Sequence, residues 1–163
     1  IGKIGISEKI LNKKEPLTVR EKELVQAHTM LGAAMLKNLD SHKEDDLVTT
    51  AYEICRWHHE RYDGKGYPDG LKGDEIPISA QIVSLADAYD KLTRDRVNKK
   101  GISHKEAINI LLHERASEFN PILLECLEEI QGNISRAMQD GGRDLEVLNE
   151  GSAYKKMIEE AEE

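Results

Sequence analysis

Two adjacent histidines, His58 and His59, are the residues best suited to carry chemistry in this chain of 163 residues. Each imidazole ring has two nitrogens that need partners when the ring is buried, and neutral imidazole is the commonest metal ligand in proteins. His28 precedes the pair and Asp87 follows it, each on a separate predicted helix. Helical bundles build metal sites from side chains on facing helices, and this mixture of imidazole and carboxylate suits Fe, Mn, Zn or Ni.

Each candidate ligand also has a simpler interpretation when it is taken alone. His28 could be a hydrogen-bonded core residue, and Asp87 could cap a helix or form a salt bridge. His58 and His59 could interact with the negative end of a helix dipole. The convergence of all four on or near inner helix faces favours the metal site. The other histidines fall at polar or loop positions and are not assigned to it: His42, His104 and His113.

Helical periodicity dominates the sequence, and no segment alternates convincingly as a β-strand does. We therefore predict an all-α fold. The predicted helices span about 19–38, 47–61, 80–93, 104–116 and 121–134, after an irregular segment over 1–16. Capping patterns mark their starts: Thr18 with Glu21, Ser79, Ser103 with Glu106, and Asn120 before Pro121.

Apolar periodicity predicts which faces of the first three helices are buried. The residues expected there are Leu24, His28, Leu31 and Met35, then Leu47, Ala51, Ile54, Cys55 and His58, then Ile82, Leu85, Ala86 and Tyr89. Cys55 and Cys126 lie in different predicted helices, and we interpret them as small core residues in a reducing, cytoplasmic compartment. The net charge of −8 argues against binding to nucleic acid polymers, which needs a basic face. No apolar run reaches the length of a membrane span.

A loop over 63–78 carries four glycines and two prolines, and long loops inside compact domains are usually functional. The run 58–93, which contains this loop, resembles the signature of the HD-GYP family. The resemblance includes His-His-Glu at 58–60, Asp-Gly-x-Gly-Tyr-Pro at 63–68, Gly-Leu at 70–71, Ile-Pro at 76–77 and Ala-Asp-x-x-Asp at 86–90. Members of that family are metal-dependent phosphodiesterases of the HD superfamily that act on the bacterial second messenger cyclic di-GMP.

The resemblance implies a set of site residues. The implied metal ligands are His28, His58, His59 and Asp87, which would hold two or three divalent ions, with Fe or Mn favoured over Ni and Zn. The residues implied to meet phosphates and guanine bases are Lys3, Arg96 and Lys99, and Lys3 is also assigned to catalysis. The residues implied to shape the substrate pocket are Gly66, Tyr67 and Pro68. Cations of this kind complement a dianionic dinucleotide, although Arg96 and Lys99 taken alone would be interpreted as a solvated basic loop.

The resemblance covers about residues 1–130 and implies an HD-superfamily helical bundle that lacks its first helices. Residues 131–163 are predicted to form a C-terminal helical extension. The family's His-Asp pair lies immediately before the segment that matches Ile1–Lys3, so about half of the metal site is expected to be missing. We favour a longer parent that retains the pair. The alternatives are a parent that has lost the pair and a second chain that supplies it.

Three functions are compatible with these patterns. In the first, the parent protein hydrolyses cyclic di-GMP, while this chain alone catalyses inefficiently and dimerises through an uncovered apolar groove. In the second, the domain is a degenerate module that binds cyclic di-GMP or docks a cyclase or sensory domain. The third is a phosphohydrolase for another nucleotide, which the Gly-Tyr-Pro loop disfavours. Gln81 stands where the family commonly has arginine, and we expect it to affect helix packing rather than chemistry.

Overall fold

The computed structural model describes residues 1–38, 45–95 and 100–139. Within these ranges the regular structure is helical, which confirms the all-α prediction. The α-helices are α1 (Glu8–Leu11), α2 (Val19–Gln26), α3 (His28–Lys37), α4 (Asp46–Trp57), α5 (Ile78–Thr93), α6 (His104–Asn109) and α7 (Pro121–Gln139). The shorter elements are 3₁₀ turns at Gly2–Gly5, Gly73–Glu75 and Ala116–Glu118 and a π-helix at Ile110–Glu114. None of the described helices combines the length and the apolar character that a membrane crossing needs.

Helices that follow one another in the chain pack against one another. The turn Gly2–Gly5 packs on α3, α3 packs on α4, α4 on α5, and α5 on α6. A buried apolar cluster joins α5, α6, the π-helix and α7 through Leu85, Ala88, Ile108, Leu111, Phe119, Leu124 and Leu127. The candidate ligands belong to the neighbouring part of the fold, because His28 begins α3, His58 follows α4 and Asp87 lies within α5.

The helix predicted over 19–38 is divided at Ala27, which separates α2 from α3. At this junction the side chains of His28 and Thr29 each donate a hydrogen bond to an α2 carbonyl group three residues earlier. Side-chain bonds of this kind compete with the backbone bonds of a helix. They account for a break that apolar periodicity does not predict.

The helix predicted over 47–61 ends at Trp57, so His58 and His59 lie just after it. The backbone N–H of Tyr62 donates instead to the carbonyl of Glu118, over 2.9 Å. The N–H of His58 still donates to the carbonyl of Ile54, but the tertiary bond of Tyr62 takes the place of a helical bond to the carbonyl of His58. The predicted end of this helix is therefore about one turn too late, and the prediction that both histidines lie within it was wrong.

The buried face of α3 is only partly the predicted one. His28 is 7% exposed, as predicted, but Leu24, Leu31 and Met35 are between 38 and 46% exposed. At the start of α4, Leu47 is also exposed. The residues that α3 buries are His28, Thr29, Gly32 and Ala33. Small side chains let α3 approach its neighbours closely, and its large apolar residues are turned away.

The face of α5 also differs from the prediction. Ser79 is the second residue of α5 rather than its cap, and its hydroxyl donates to the carboxylate of Glu53 over 2.7 Å. Ile82 and Ala86 are exposed. The buried residues of α5 are Ala80, Gln81, Leu85 and Ala88. The helix is rotated so that the polar Gln81 faces inward, where its amide finds hydrogen-bond partners.

Three other segments bear on the predicted boundaries. The segment 1–16 is not irregular, since it contains the first 3₁₀ turn and α1. The helix predicted over 104–116 is α6 followed by the π-helix, in which the N–H of Arg115 donates to the carbonyl of Ile110, five residues earlier. π-Helical segments occur frequently at functional sites. Helix α7 continues past residue 130, and the extension from 131 stays a prediction.

Asn120 joins the start of α7 to α5. Its Oδ1 accepts from the N–H of Ile122, as expected for a helix cap, and its Nδ2 donates to Oε1 of Gln81 over 2.9 Å. The Gln81 amide in turn donates to the carbonyl of Ile76 over 2.7 Å. Both side chains are buried. Gln81 therefore has a structural role in helix packing.

Replacing Asn120 with alanine is expected to lower the free energy of unfolding by about 2–3 kcal/mol, measured by urea denaturation. The substitution removes a helix cap and leaves the buried Oε1 of Gln81 without its donor. Asn120→Ser retains a capping oxygen and should recover roughly half of the loss. Equal stability of the wild type and both variants would contradict this account of the junction.

The capping box at the start of α2 forms as predicted and makes stability depend on pH. Glu21 accepts hydrogen bonds from the Lys13 ammonium and from the Thr18 N–H, and these bonds, Lys13 first, lower the pKa of Glu21 to about 2. Its usual value is 4.5, so the stabilisation is present above pH 4.5 and is lost as the pH falls towards 2. Glu21→Gln should lower the urea midpoint at pH 6 and change it much less at pH 2.5. An equal change at both pH values would refute the linkage.

Candidate active site

Three imidazoles converge where the start of α3 meets the end of α4. One ring nitrogen from each of His28, His58 and His59 lies within 4.8 Å of the other two. The Nε2 atoms of His28 and His58 are 3.5 Å apart. The structure therefore brings together three of the four metal ligands predicted from the sequence.

Backbone carbonyls set the tautomers of two of these rings. His28 donates from Nδ1 to the carbonyl of Val25 over 2.6 Å, and His58 donates from Nδ1 to the carbonyl of Ile54 over 2.7 Å. A neutral ring that donates from Nδ1 has its lone pair on Nε2. Two lone pairs therefore face each other across 3.5 Å, an arrangement that a cation held by both nitrogens would stabilise.

His59 lies beside Tyr67 and is neutral. Their ring centroids are 4.9 Å apart, and the N–H of Tyr67 donates to the carbonyl of His59 over 3.2 Å. Burial, helped by the charges of neighbouring groups, lowers the pKa of His59 to about 2. Burial also lowers the pKa of His28 and of His58. All three rings are thus in the neutral form that binds metal ions.

Asp87 approaches the imidazoles from α5. Its Oδ2 atom is 4.0 Å from Nδ1 of His59, which is too long for a hydrogen bond. The same carboxylate forms a close ion pair with Lys91, one helical turn further along α5. The fourth predicted ligand is therefore beside the imidazoles but is paired with an ammonium group.

The first 3₁₀ turn brings Lys3 near the imidazoles. The positive charge of Lys3 contributes to lowering the pKa of His28 and of His59, and its side chain is exposed. Gly2 makes this approach feasible, because a Cβ at that position would overlap the carbonyl oxygen of His28. The structure places Lys3 close to the histidines, and its role towards a substrate stays a prediction.

Glu60 anchors the loop that follows the histidines. This side chain is 2% exposed, and its Oε1 accepts from the N–H groups of Asp69 and Gly70 over 2.7 and 3.0 Å. Its Oε2 is buried without a hydrogen-bond partner among the described residues. The anchored loop carries Tyr67 and Pro68, joined by a cis peptide bond. In the sequence, Glu60 stands out only as part of the His-His-Glu motif, and nothing there predicts this positioning contact.

A cleft of about 240 Å³ opens beside His59, with Tyr67 and Asp87 in its walls. The cleft also contains three cationic side chains that are not among the predicted site residues: Arg61, Lys91 and Arg115. Lys91 lies four residues after Asp87, a helical spacing that could have revealed the pair. The position of Arg115 depends on the π-helix before it, which apolar periodicity does not predict.

Two predicted substrate contacts, Arg96 and Lys99, fall outside the described residues, as does His42. Their places relative to the cleft stay predictions. Nδ1 of His104 is hydrogen-bonded to the hydroxyl of Tyr89 over 2.7 Å, a contact that agrees with leaving His104 out of the site. Both Cys55 and Cys126 are free thiols, and both are half-buried rather than fully buried core residues as predicted.

Comparisons with known proteins place this arrangement in a family. The HD domain family model matches residues 1–123. The chain is 44% identical over 128 residues to a probable cyclic di-GMP phosphodiesterase of Vibrio cholerae serotype O1, covering 77% of this chain and 29% of that protein. It is 36% identical over 135 residues to a cyclic di-GMP phosphodiesterase of Thermotoga maritima, covering 83% and 36%. It is 35% identical over 129 residues to 3'3'-cGAMP-specific phosphodiesterase 2 of Vibrio cholerae, covering 79% and 24%.

The chain belongs to the HD domain family. It spans between 24 and 36% of the length of the three relatives above. Membership implies a divalent metal ion, and the donor set fits one, because three neutral imidazoles, two of them with oriented lone pairs, stand beside a carboxylate. The face-to-face Nε2 atoms of His28 and His58 are the observation that supports this fit.

Proposed function

We propose that this HD domain serves a metal-dependent phosphodiesterase that hydrolyses cyclic di-GMP in cytoplasmic second-messenger signalling. The observation that carries the proposal is the convergence of His28, His58 and His59 beside Asp87, next to a cleft that Tyr67 also lines. Relatives that are between 35 and 44% identical are named as phosphodiesterases of cyclic dinucleotides. Those names support the substrate class.

The four converging residues would hold the metal: His28, His58, His59 and Asp87. Two or three divalent ions are proposed, with Fe or Mn favoured over Ni and Zn. When bound, a divalent metal supplies Lewis-acid stabilisation of a phosphoryl group and lowers the pKa of water. The protein's own contribution is to keep the imidazoles neutral by burial. It also aims two of their Nε2 atoms at one region through hydrogen bonds to the backbone.

The loop and the nearby cations would bind the dinucleotide. Burial raises the pKa of Tyr67 to about 12, so its hydroxyl remains a neutral hydrogen-bond donor at physiological pH. Tyr67, with Gly66 and Pro68, is proposed to shape the pocket against which a base packs. The cations proposed to contact phosphates and bases are Lys3, Arg96 and Lys99. Lys3 is also proposed to assist catalysis, since its charge already acts at the histidines.

The proposal is tested by incubating protein with cyclic di-GMP and Mn²⁺ or Fe²⁺ and separating the products by chromatography. Both the 163-residue chain and the natural polypeptide in which these residues occur should be assayed. We expect the natural polypeptide to form the linear dinucleotide or GMP, and the 163-residue chain alone to turn over inefficiently. No turnover by the natural polypeptide with any divalent metal would overturn the proposal. Faster turnover of 3'3'-cGAMP in a parallel assay would reassign the substrate.

A second candidate function is a non-catalytic module that binds cyclic di-GMP or docks a cyclase or sensory domain. The observation that favours it is the ion pair with Lys91, which occupies the carboxylate of Asp87. Such a module would bind cyclic di-GMP equally well in the presence of a chelator, whereas the enzyme would not.

The exposed Leu31 and Met35 support the proposed homodimer, which sedimentation of the chain would detect.

A further inference from the structure

Lys91 lies in the site, but no role in metal or substrate binding has been assigned to it above. Its ammonium group is paired with Asp87, a candidate metal ligand. It lines the same cleft as His59 and Tyr67. Its positive charge also contributes to lowering the pKa of His58 and of His59. Lys91 therefore lies within electrostatic reach of the position that a metal ion would occupy.

An ammonium group and a metal ion compete for one carboxylate. Asp87 has to present an oxygen to bind a metal ion, and the ammonium now holds Oδ2, the oxygen nearer to His59. Two cations at the same oxygen also repel each other, which weakens binding of the second. Lys91 is 41% exposed and has a flexible stem of four carbons. It can leave Asp87 by rotating its side chain, with no change in the helix.

We propose that Lys91 competes with the metal ion for Asp87. The ammonium group of Lys91 holds the carboxylate until a divalent ion displaces it, and the freed ammonium then contacts the phosphodiester of the substrate. The second step rests on the proposed function. Through these two steps, Lys91 would link the binding of metal to the binding of substrate. Without metal, the carboxylate of Asp87 stays paired with Lys91. With metal bound, the released ammonium of Lys91 can contact the substrate.

The other cations of the cleft differ from Lys91 in their partners. Arg61 is paired with Asp63 and Glu118, and Arg115 is also paired with Glu118. Neither Asp63 nor Glu118 is a candidate metal ligand. Among the described cations that line the cleft, Lys91 is thus the one whose partner the metal would take. Loading with metal would leave both guanidinium groups in place and release the ammonium.

The competition is tested by titrating Mn²⁺ into the 163-residue chain and measuring its affinity calorimetrically. Lys91→Met is expected to bind Mn²⁺ about tenfold more tightly than the wild type, because a repelling charge and a competitor are both removed. Lys91→Arg keeps the charge and should restore the weaker binding. Lys105→Met, on the exposed face of α6, is the matched control and should leave the affinity unchanged. Unchanged affinity in Lys91→Met would overturn the proposal.

A double variant tests whether Lys91 acts through Asp87. In an Asp87→Asn background, Lys91→Met should give less than half of its tenfold gain, because the shared carboxylate is gone. A full gain in that background would show that Lys91 acts on the metal at a distance, and would refute the competition. Circular dichroism of each variant before titration ensures that only folded chains are compared.

The second step is tested on Mn²⁺-saturated protein with a phosphorothioate analogue of cyclic di-GMP that resists hydrolysis. Lys91→Met is expected to weaken binding of the analogue about fivefold, and Lys105→Met is expected to have no effect. Equal affinity of wild type and Lys91→Met would refute the phosphate contact. Because the Mn²⁺ titration needs no turnover, a domain that never cleaves a cyclic dinucleotide could still show the competition. Failure of the proposed function would therefore be distinguishable from failure of this inference.

Discussion

His58→Ala is expected to weaken Mn²⁺ binding by about 100-fold or more and to abolish hydrolysis of cyclic di-GMP by the natural polypeptide. Losing even a residue that only supports a ligand commonly costs 10–100-fold in metal affinity, and His58 is proposed to be a ligand itself. Its Nε2 atom lies 3.5 Å from that of His28. Calorimetric titration of the 163-residue chain with Mn²⁺ measures the effect without requiring catalysis.

The matched control for this variant is His113→Ala. His113 is an exposed residue of the π-helix and has no assigned role, so its loss should leave the Mn²⁺ affinity within a factor of two. Urea denaturation of both variants separates a lost ligand from a lost fold. If His58→Ala bound Mn²⁺ as tightly as the wild type, the imidazole cluster would not be a metal site.

Gly66→Ala is expected to lower the free energy of unfolding by about 3 kcal/mol and to weaken binding of cyclic di-GMP. A Cβ at Gly66 would overlap the backbone N of Arg61 and Cα of Glu60. Backbone atoms cannot move aside as a flexible side chain can, so the loop itself has to shift, and overpacking of this kind typically costs 1–3 kcal/mol or more. Such a shift would carry Tyr67, the next residue, away from the ring of His59.

Gly132→Ala makes the same chemical change at another site, and there we expect no loss of free energy of unfolding. Gly132 lies within α7 and has no atom within 4 Å of the position of its Cβ. Alanine is favoured over glycine inside a helix by roughly 1 kcal/mol, so this variant should be as stable as the wild type or more so. Urea denaturation of the two variants in parallel is decisive. A Gly66→Ala variant as stable as Gly132→Ala would show that the loop is not tightly packed on Glu60.

The sequence predicts which imidazoles converge better than it predicts the buried faces of the helices that carry them. His28, His58 and His59 are recognisable because buried imidazoles need polar partners, and one shared metal ion would satisfy all three. The apolar stripe of Leu24, Leu31 and Met35 is equally regular, yet these residues are exposed. Periodicity identifies an apolar face, but the neighbours that would cover it are set by tertiary packing. In α3 that packing uses small residues.

Contacts made by polar side chains account for most of the remaining differences. The pairing of Lys91 with Asp87 has the spacing of a helical ion pair and could have been predicted. The anchoring of the loop by Glu60 depends on the backbone N–H groups of residues nine and ten positions later. No local sequence pattern predicts contacts of that kind. The loop has to fold before its N–H groups can reach Glu60, and the buried carboxylate of Glu60 in turn stabilises that fold.

The carbonyl groups that orient His28 and His58 have a further consequence for how the chain moves. Val25 lies in the last turn of α2 and Ile54 in the last turn of α4, where helices normally fray. An ion bound by both rings would join these two turns through the side chains and close a loop of about 30 residues. Fraying of either helix end would then require the ion to leave or the hydrogen bond between imidazole and carbonyl to break. Occupancy of the site would therefore slow amide exchange in two helix ends that never touch the metal.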